Sequence, residues 1–216
     1  MNYSTLVQAV KDYTDNTETT FVNNIDNFIA QAERRILLDT DLPVFHKNVT
    51  GTINSSLTYL SKPSDFLTAF SLAIIDSGNI YTYLLPKDVS FMREVSSDTD
   101  TTGQPKYYGH FNETSFVLSP IPDATYTAEL HYKYAPAQLS STNTTTWIGD
   151  NADTALLYGC LIEAYTFMKG EQDLMGLYAE RYESALNSLR KLGELDDRRD
   201  LYRNGNPFIM QRAASR

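Results

Sequence analysis

Two apolar periodicities share this chain, and each keeps to its own stretch. On either side of residues 43–146 the large apolar side chains recur every three or four positions. Between those limits they alternate, or gather in short runs broken by Gly, Pro, Ser and Asp. A spacing near 3.6 buries one stripe of a helix and a spacing of 2 buries one face of a strand, so neither pattern can stand in for the other. The order of elements is therefore helices, a β-rich insertion, then helices.

The first helical stretch places Leu6, Val7, Val10 and Tyr13 on one side, with Asn2 or Ser4 available as a cap. After the polar linker TDNTE, residues Phe21, Val22, Ile25, Phe28, Ile29, Ala32 and Ile36 predict one long helix from Thr19 to about Asp39. Past Trp147, a broad apolar face through Leu156, Cys160, Leu161, Ala164 and Met168 predicts a helix over 151–168 covered on most sides. Lys169-Gly170 stops it, and a third long helix runs from Glu171 to about Leu192.

Inside the insertion the spacing predicts strands at 46–53, 57–60, 66–75, 79–85, 106–111, 115–118 and 126–134, with a brief helix at 87–95. DSGN reads as a hairpin turn, and SPIPDATY as a Pro-rich turn joining antiparallel neighbours. The last strand is the clearest. Tyr126, Ala128, Leu130, Tyr132 and Tyr134 alternate with Thr127, Glu129, His131 and Lys133, which marks one buried face and one wet face.

With 42% hydrophobic and 21% charged residues the chain has enough apolar surface for a packed core, so wholesale disorder is excluded. No apolar run approaches the roughly 20 residues of a membrane span, and the N-terminus lacks a signal-peptide pattern, which implies a soluble protein made in a cytoplasm. The four Asn-x-Ser/Thr sequons then reflect composition rather than glycosylation. The formal charge of −9 argues against gripping nucleic acid through its phosphates and suits a passage along which DNA slides.

Candidate chemistry is sparse. Cys160, the single cysteine, sits among apolar residues and reads as a small buried hydrophobe. His46, His110 and His131 fall in three separate strand-like segments without the i,i+4 spacing of a zinc helix. The sequence has no phosphate-cradling Gly-rich loop and no nucleophile elbow. Tyr81, Tyr83, Tyr107 and Tyr108 suit strand propensity, core and subunit contacts better than sugar stacking. No catalytic, cofactor-binding or metal-binding residue is assigned.

Three phrases taken in order resemble the head-to-tail adaptor (connector) proteins of tailed bacteriophages. They are YLSKPSDFLTAFSLAI at 59–74, GQPKYYGHFNETSFVLSPIPDATYTAELHYKYAPAQLSS at 103–141, and TTTWIGDNADTALLYGCLIEAYTFMKGEQDLMGLYAERYESAL at 144–186. The resemblance implies an α+β fold. A helical bundle comes from residues 1–42 and 147–193, an antiparallel β-domain is inserted at 43–146, and a C-terminal tail extends over 194–216. It further implies a non-enzymatic virion subunit that forms a ring, commonly of twelve copies, between the portal protein and downstream neck or tail proteins, with genome DNA passing through unbound. No membrane or cofactor is involved. The tail would be unfolded before assembly and dock on the portal through Arg198, Arg199, Leu201, Tyr202, Arg203, Phe208, Ile209, Met210 and Arg212. A podophage-type tail-tube adaptor shares the same plan. A β-rich carbohydrate-binding tail-tip protein is the alternative from a different class.

Overall fold

The structure is a computed structural model that describes residues 1–55, 59–95 and 102–197. Its contacts divide the chain into two units, Met1–Pro43 with the described residues from Ala137 on, and Val44–Pro136. The connector 137–146, which the sequence groups with the insertion, thus belongs with the helices.

In the helical unit α1 spans Tyr3–Thr14, with Asn2 as its N-cap accepting from the Thr5 N–H at 3.0 Å. The long helix expected from Thr19 is broken in two, α2 at Thr19–Val22 and α3 at Ile25–Asp39. The cause is the Asn pair between them. The Asn24 side chain donates back to the Thr20 carbonyl at 2.8 Å, and its backbone N–H reaches Phe21 rather than the residue four back. A short α5, Trp147–Asn151, was not expected; Thr146 caps it by accepting from the Gly149 N–H. The helix α6 follows at Asp153–Met168 and ends at Lys169, whose φ of 55° lies in the left-handed region.

The last helix, α7, runs Gln172–Asp197, five residues past the expected end. Gly193 is not a stop signal here. A Cβ at that position would stand 2.6 Å from the Asp41 carbonyl oxygen, so glycine admits the chain that follows α3. Residues 194–197, expected to belong to an unfolded tail, are helical backbone. Central in this unit is α6, which packs against α1, α3 and α7. It is apolar nearly all round, and Leu156, Cys160, Leu161 and Ala164 are fully buried. Gly159 lets the neighbours close in, since a Cβ there would be 3.0 Å from Ala32 Cβ and 3.3 Å from the Tyr182 ring.

The second unit is two four-stranded sheets. One has the order β1 (His46–Ile53), β8 (Tyr126–Tyr134), β3 (Phe66–Ile75), β4 (Tyr81–Tyr83). The other has β2 (Tyr59–Ser61), β7 (Ser115–Ser119), β6 (Tyr107–His110), β5 (Leu85–Pro86). Their inner faces share one core through Ile53, Leu72, Ile74, Phe116, Leu118, Ala128, Leu130 and Tyr132. The alternation read along β8 holds, with Ala128, Leu130 and Tyr132 buried. Three expectations change. The strand at 79–85 divides, because after Leu84 bonds to Leu72 the chain crosses to the second sheet, where Leu85 bonds to Lys106. β5 then pairs with β6 in parallel, so the insertion is not wholly antiparallel. SPIPDATY does not join sheet neighbours, since β7 and β8 lie in different sheets and bury their apolar faces against a common core. The DSGN turn is as expected, with Asp76 Oδ1 accepting from the Gly78 and Ile80 N–H groups. The short helix α4, Val89–Val95, lays Met92 onto Gly109, where a Cβ would meet the sulfur at 2.9 Å.

Candidate interaction surfaces

Among the described residues, Cys160, Glu33 and Asp65 are each held by the fold. Cys160 is wholly buried, and desolvation, with the charges of Glu33 and Glu163, pushes its thiol far above the usual range. Glu33 is buried on α3, yet both its oxygens are used. Oε2 accepts from the Leu139 N–H at 2.9 Å and Oε1 from the Thr146 hydroxyl at 3.0 Å. Burial raises this carboxyl above its ordinary value, and the two hydrogen bonds offset part of the rise. Glu33 therefore straps the connector 137–146 to α3. That is a structural task.

Lys-Pro-Ser-Asp-Phe, a phrase that carries the family resemblance, is a corner of the β unit. Asp65 Oδ2 receives Lys47 Nζ at 2.6 Å and Oδ1 receives the Tyr132 hydroxyl at 2.8 Å, while its carbonyl accepts from Ala135. Burial alone would raise the carboxyl, but these donors and the Lys47 charge hold it below the usual range. One residue thus joins β1, the start of β3 and the end of β8.

The three histidines are not all apart, as their sequence positions suggest. The β1–β8 register puts Asn48 opposite His131, which brings His46 within 5.6 Å of His131 by ring centroids, with Phe70 against both at 4.2 and 5.2 Å. His110 stands elsewhere, against Phe116; burial, then the Lys62 charge, lowers its pKa. Among the described residues no three His, Cys, Asp or Glu side chains converge as metal ligands would.

What remains is surface. On the outer side of the first sheet the register aligns Tyr81 with Ile75 and Tyr83 with Ala73, leaving Tyr83 64% exposed. The second sheet carries Tyr59 against Phe111 at 4.6 Å and Phe91 against Tyr107 at 5.6 Å. The helical unit presents a groove of about 560 Å³ between the first turns of α6 and the later half of α7, lined by apolar Ala155, Tyr158, Leu189 and Leu192 and by polar residues that include Asp153 and Arg181. Small residues at 184, 185 and 188 are its signature in the sequence, legible only once α6 and α7 are known to run side by side.

The sequence-predicted docking residues Arg198, Arg199, Leu201, Tyr202, Arg203, Phe208, Ile209, Met210 and Arg212 lie outside the described residues. Among the described residues no helix is long and apolar enough to cross a membrane.

No curated protein matches this chain. A family model described as SU10 adaptor protein matches residues 1–210, nearly the whole length and both structural units. The chain belongs to the SU10 adaptor protein family, a family of bacteriophage adaptors such as its sequence resembles.

Proposed function

We propose that the chain is a non-enzymatic ring subunit of the virion neck, joining the portal protein above to neck or tail proteins below and lining the channel through which DNA leaves. The family match over residues 1–210 carries this reading. Physical features support it. A cyclic ring needs two different adhesive faces on each subunit, and the chain offers aromatic sheet surfaces in one unit and a helical surface with a groove in the other. In this reading the unit of residues 1–43 and 137–197 acts as a helical bundle, and the β-domain is an insertion in its sequence. Residues beyond the α7 end at Asp197 dock on the portal, with Phe208, Ile209 and Met210 as apolar anchors and Arg198, Arg199, Arg203 and Arg212 meeting carboxylates. Twelve copies would match a twelvefold portal, assembled in the host cytoplasm.

Mass photometry of the purified protein, with and without portal, tests the proposal. A ring that forms on portal and is lost when the chain is ended after Asp197 is the expected result. A stable monomer or trimer that ignores portal and binds glycan instead would replace it with the carbohydrate-binding reading, for which exposed Tyr81 and Tyr83 would be the stacking residues.

A further inference from the structure

Charge is distributed unevenly along this chain. Residues 198–216 contain five Arg against one Asp, a balance of +4, so residues 1–197 carry −13 and the chain totals −9. A basic, partly apolar segment joined to so acidic a body has its nearest complementary surface in that body.

The place where the segment starts makes this concrete. The groove between α6 and α7 is open along the later half of α7. Its nearest wall residue, Leu192, stands five residues before the helix ends at Asp197, about 7.5 Å along the axis, and its farthest, Arg181, about 24 Å. Ten residues separate Asp197 from Phe208, and they span at most about 36 Å when extended. Every point of the groove is thus within reach of Phe208-Ile209-Met210. Asn204-Gly205-Asn206-Pro207, immediately before them, has the composition of a reversing turn.

The groove also suits that cargo. Leu192 is 47% exposed, and Leu189, Ala155 and Tyr158 continue its apolar strip. Asp153 and Arg181 both line it, so its own charges balance and what it offers the segment is the apolar strip.

We propose that, in the free subunit, residues 198–216 of the same chain fold back and seat Phe208, Ile209 and Met210 in the α6–α7 groove. On the adaptor reading, the same three residues then cannot engage portal until they leave the groove. Docking is therefore coupled to release, and free subunits are kept from premature assembly.

Disulfide trapping in the full-length protein at low micromolar concentration tests this. Ser188→Cys with Ile209→Cys places one thiol at the groove and one on the segment, while the buried Cys160 stays silent. The expected result is an intramolecular disulfide, proved by peptide mass spectrometry. It should form at least about fivefold faster than in a Gln8→Cys/Ile209→Cys control, and slow to the control rate when Leu192→Asp is added. A rate no better than the control overturns the proposal. So does a disulfide between two chains, which makes a second copy the occupant, or a rate indifferent to Leu192→Asp. Each of these leaves the portal-dependent ring, measured separately, untouched.

Discussion

Glu33 shows how much one buried carboxylate can organise. It takes the Leu139 N–H and the Thr146 hydroxyl at the two ends of the connector, so its removal leaves a buried donor with no acceptor. Glu33→Ala is expected to cost about 1–3 kcal/mol in urea unfolding at pH 7. Glu33→Gln keeps an acceptor for Leu139 and sheds the charge. Because burial raises the carboxyl in the fold, its contribution to stability is full below the unfolded value of about 4.3 and is lost as pH rises through the folded value. Glu33→Gln should therefore equal or exceed the wild type at pH 7, with the gap closing as pH falls toward 4. A Gln variant as weak as the Ala variant would show that the charge itself is needed. Asp65 has the opposite sign. Lys47 and Tyr132 hold its carboxyl down despite burial, so its contribution is present at neutral pH and fades as the solution is acidified through the lowered value.

Between elements, the helical glycines separate two uses of the same residue. Gly159 sits where α3 and α7 crowd α6, and Gly159→Ala must push a methyl against Ala32 and Tyr182. Overpacking of this kind costs about 1–3 kcal/mol and outweighs the gain in helix propensity. Gly176 on α7 has nothing within 4 Å of its would-be Cβ, so Gly176→Ala should stabilise by about 0.5–1 kcal/mol. Thermal melts that moved in the same direction for both would contradict the packing described. Phe28→Ala or Leu161→Ala, each emptying a buried site, should cost about 2–5 kcal/mol. The strongest periodicities were legible in advance, as in β8 and in the apolar sides of α3 and α6. Boundaries set by a single side chain were not. Asn24 ends α2 by bonding backward, and Gly193 looks like a stop until Asp41 is seen against it. Sheet membership was also hidden, because β7 and β8 are adjacent in sequence and each buries apolar residues whichever partner it takes. The groove was illegible for the same reason. Its small residues belong to two helices whose pairing is a tertiary fact.

For the molecule as a whole, charge separates the possible relations to DNA. A channel wall must pass phosphate without holding it, and a net charge of −9 opposes duplex binding. The five Arg in 198–216 are the one concentrated source of attraction. If they alone bound DNA, counterion release would cap the salt slope near about −0.9 per contact, so that five contacts lose several hundredfold in affinity between 50 and 200 mM salt. Filter binding across that range therefore distinguishes three behaviours. Negligible retention even at 50 mM is the expected outcome, because the acidic body opposes the basic segment and, in the folded-back subunit, competes for it. Weak retention that vanishes by 200 mM and disappears when residues after Asp197 are removed would assign DNA contact to that segment and leave the wall inert. Tight retention that survives 200 mM salt and the truncation would require a basic surface elsewhere on the body, and would sink the channel-lining proposal.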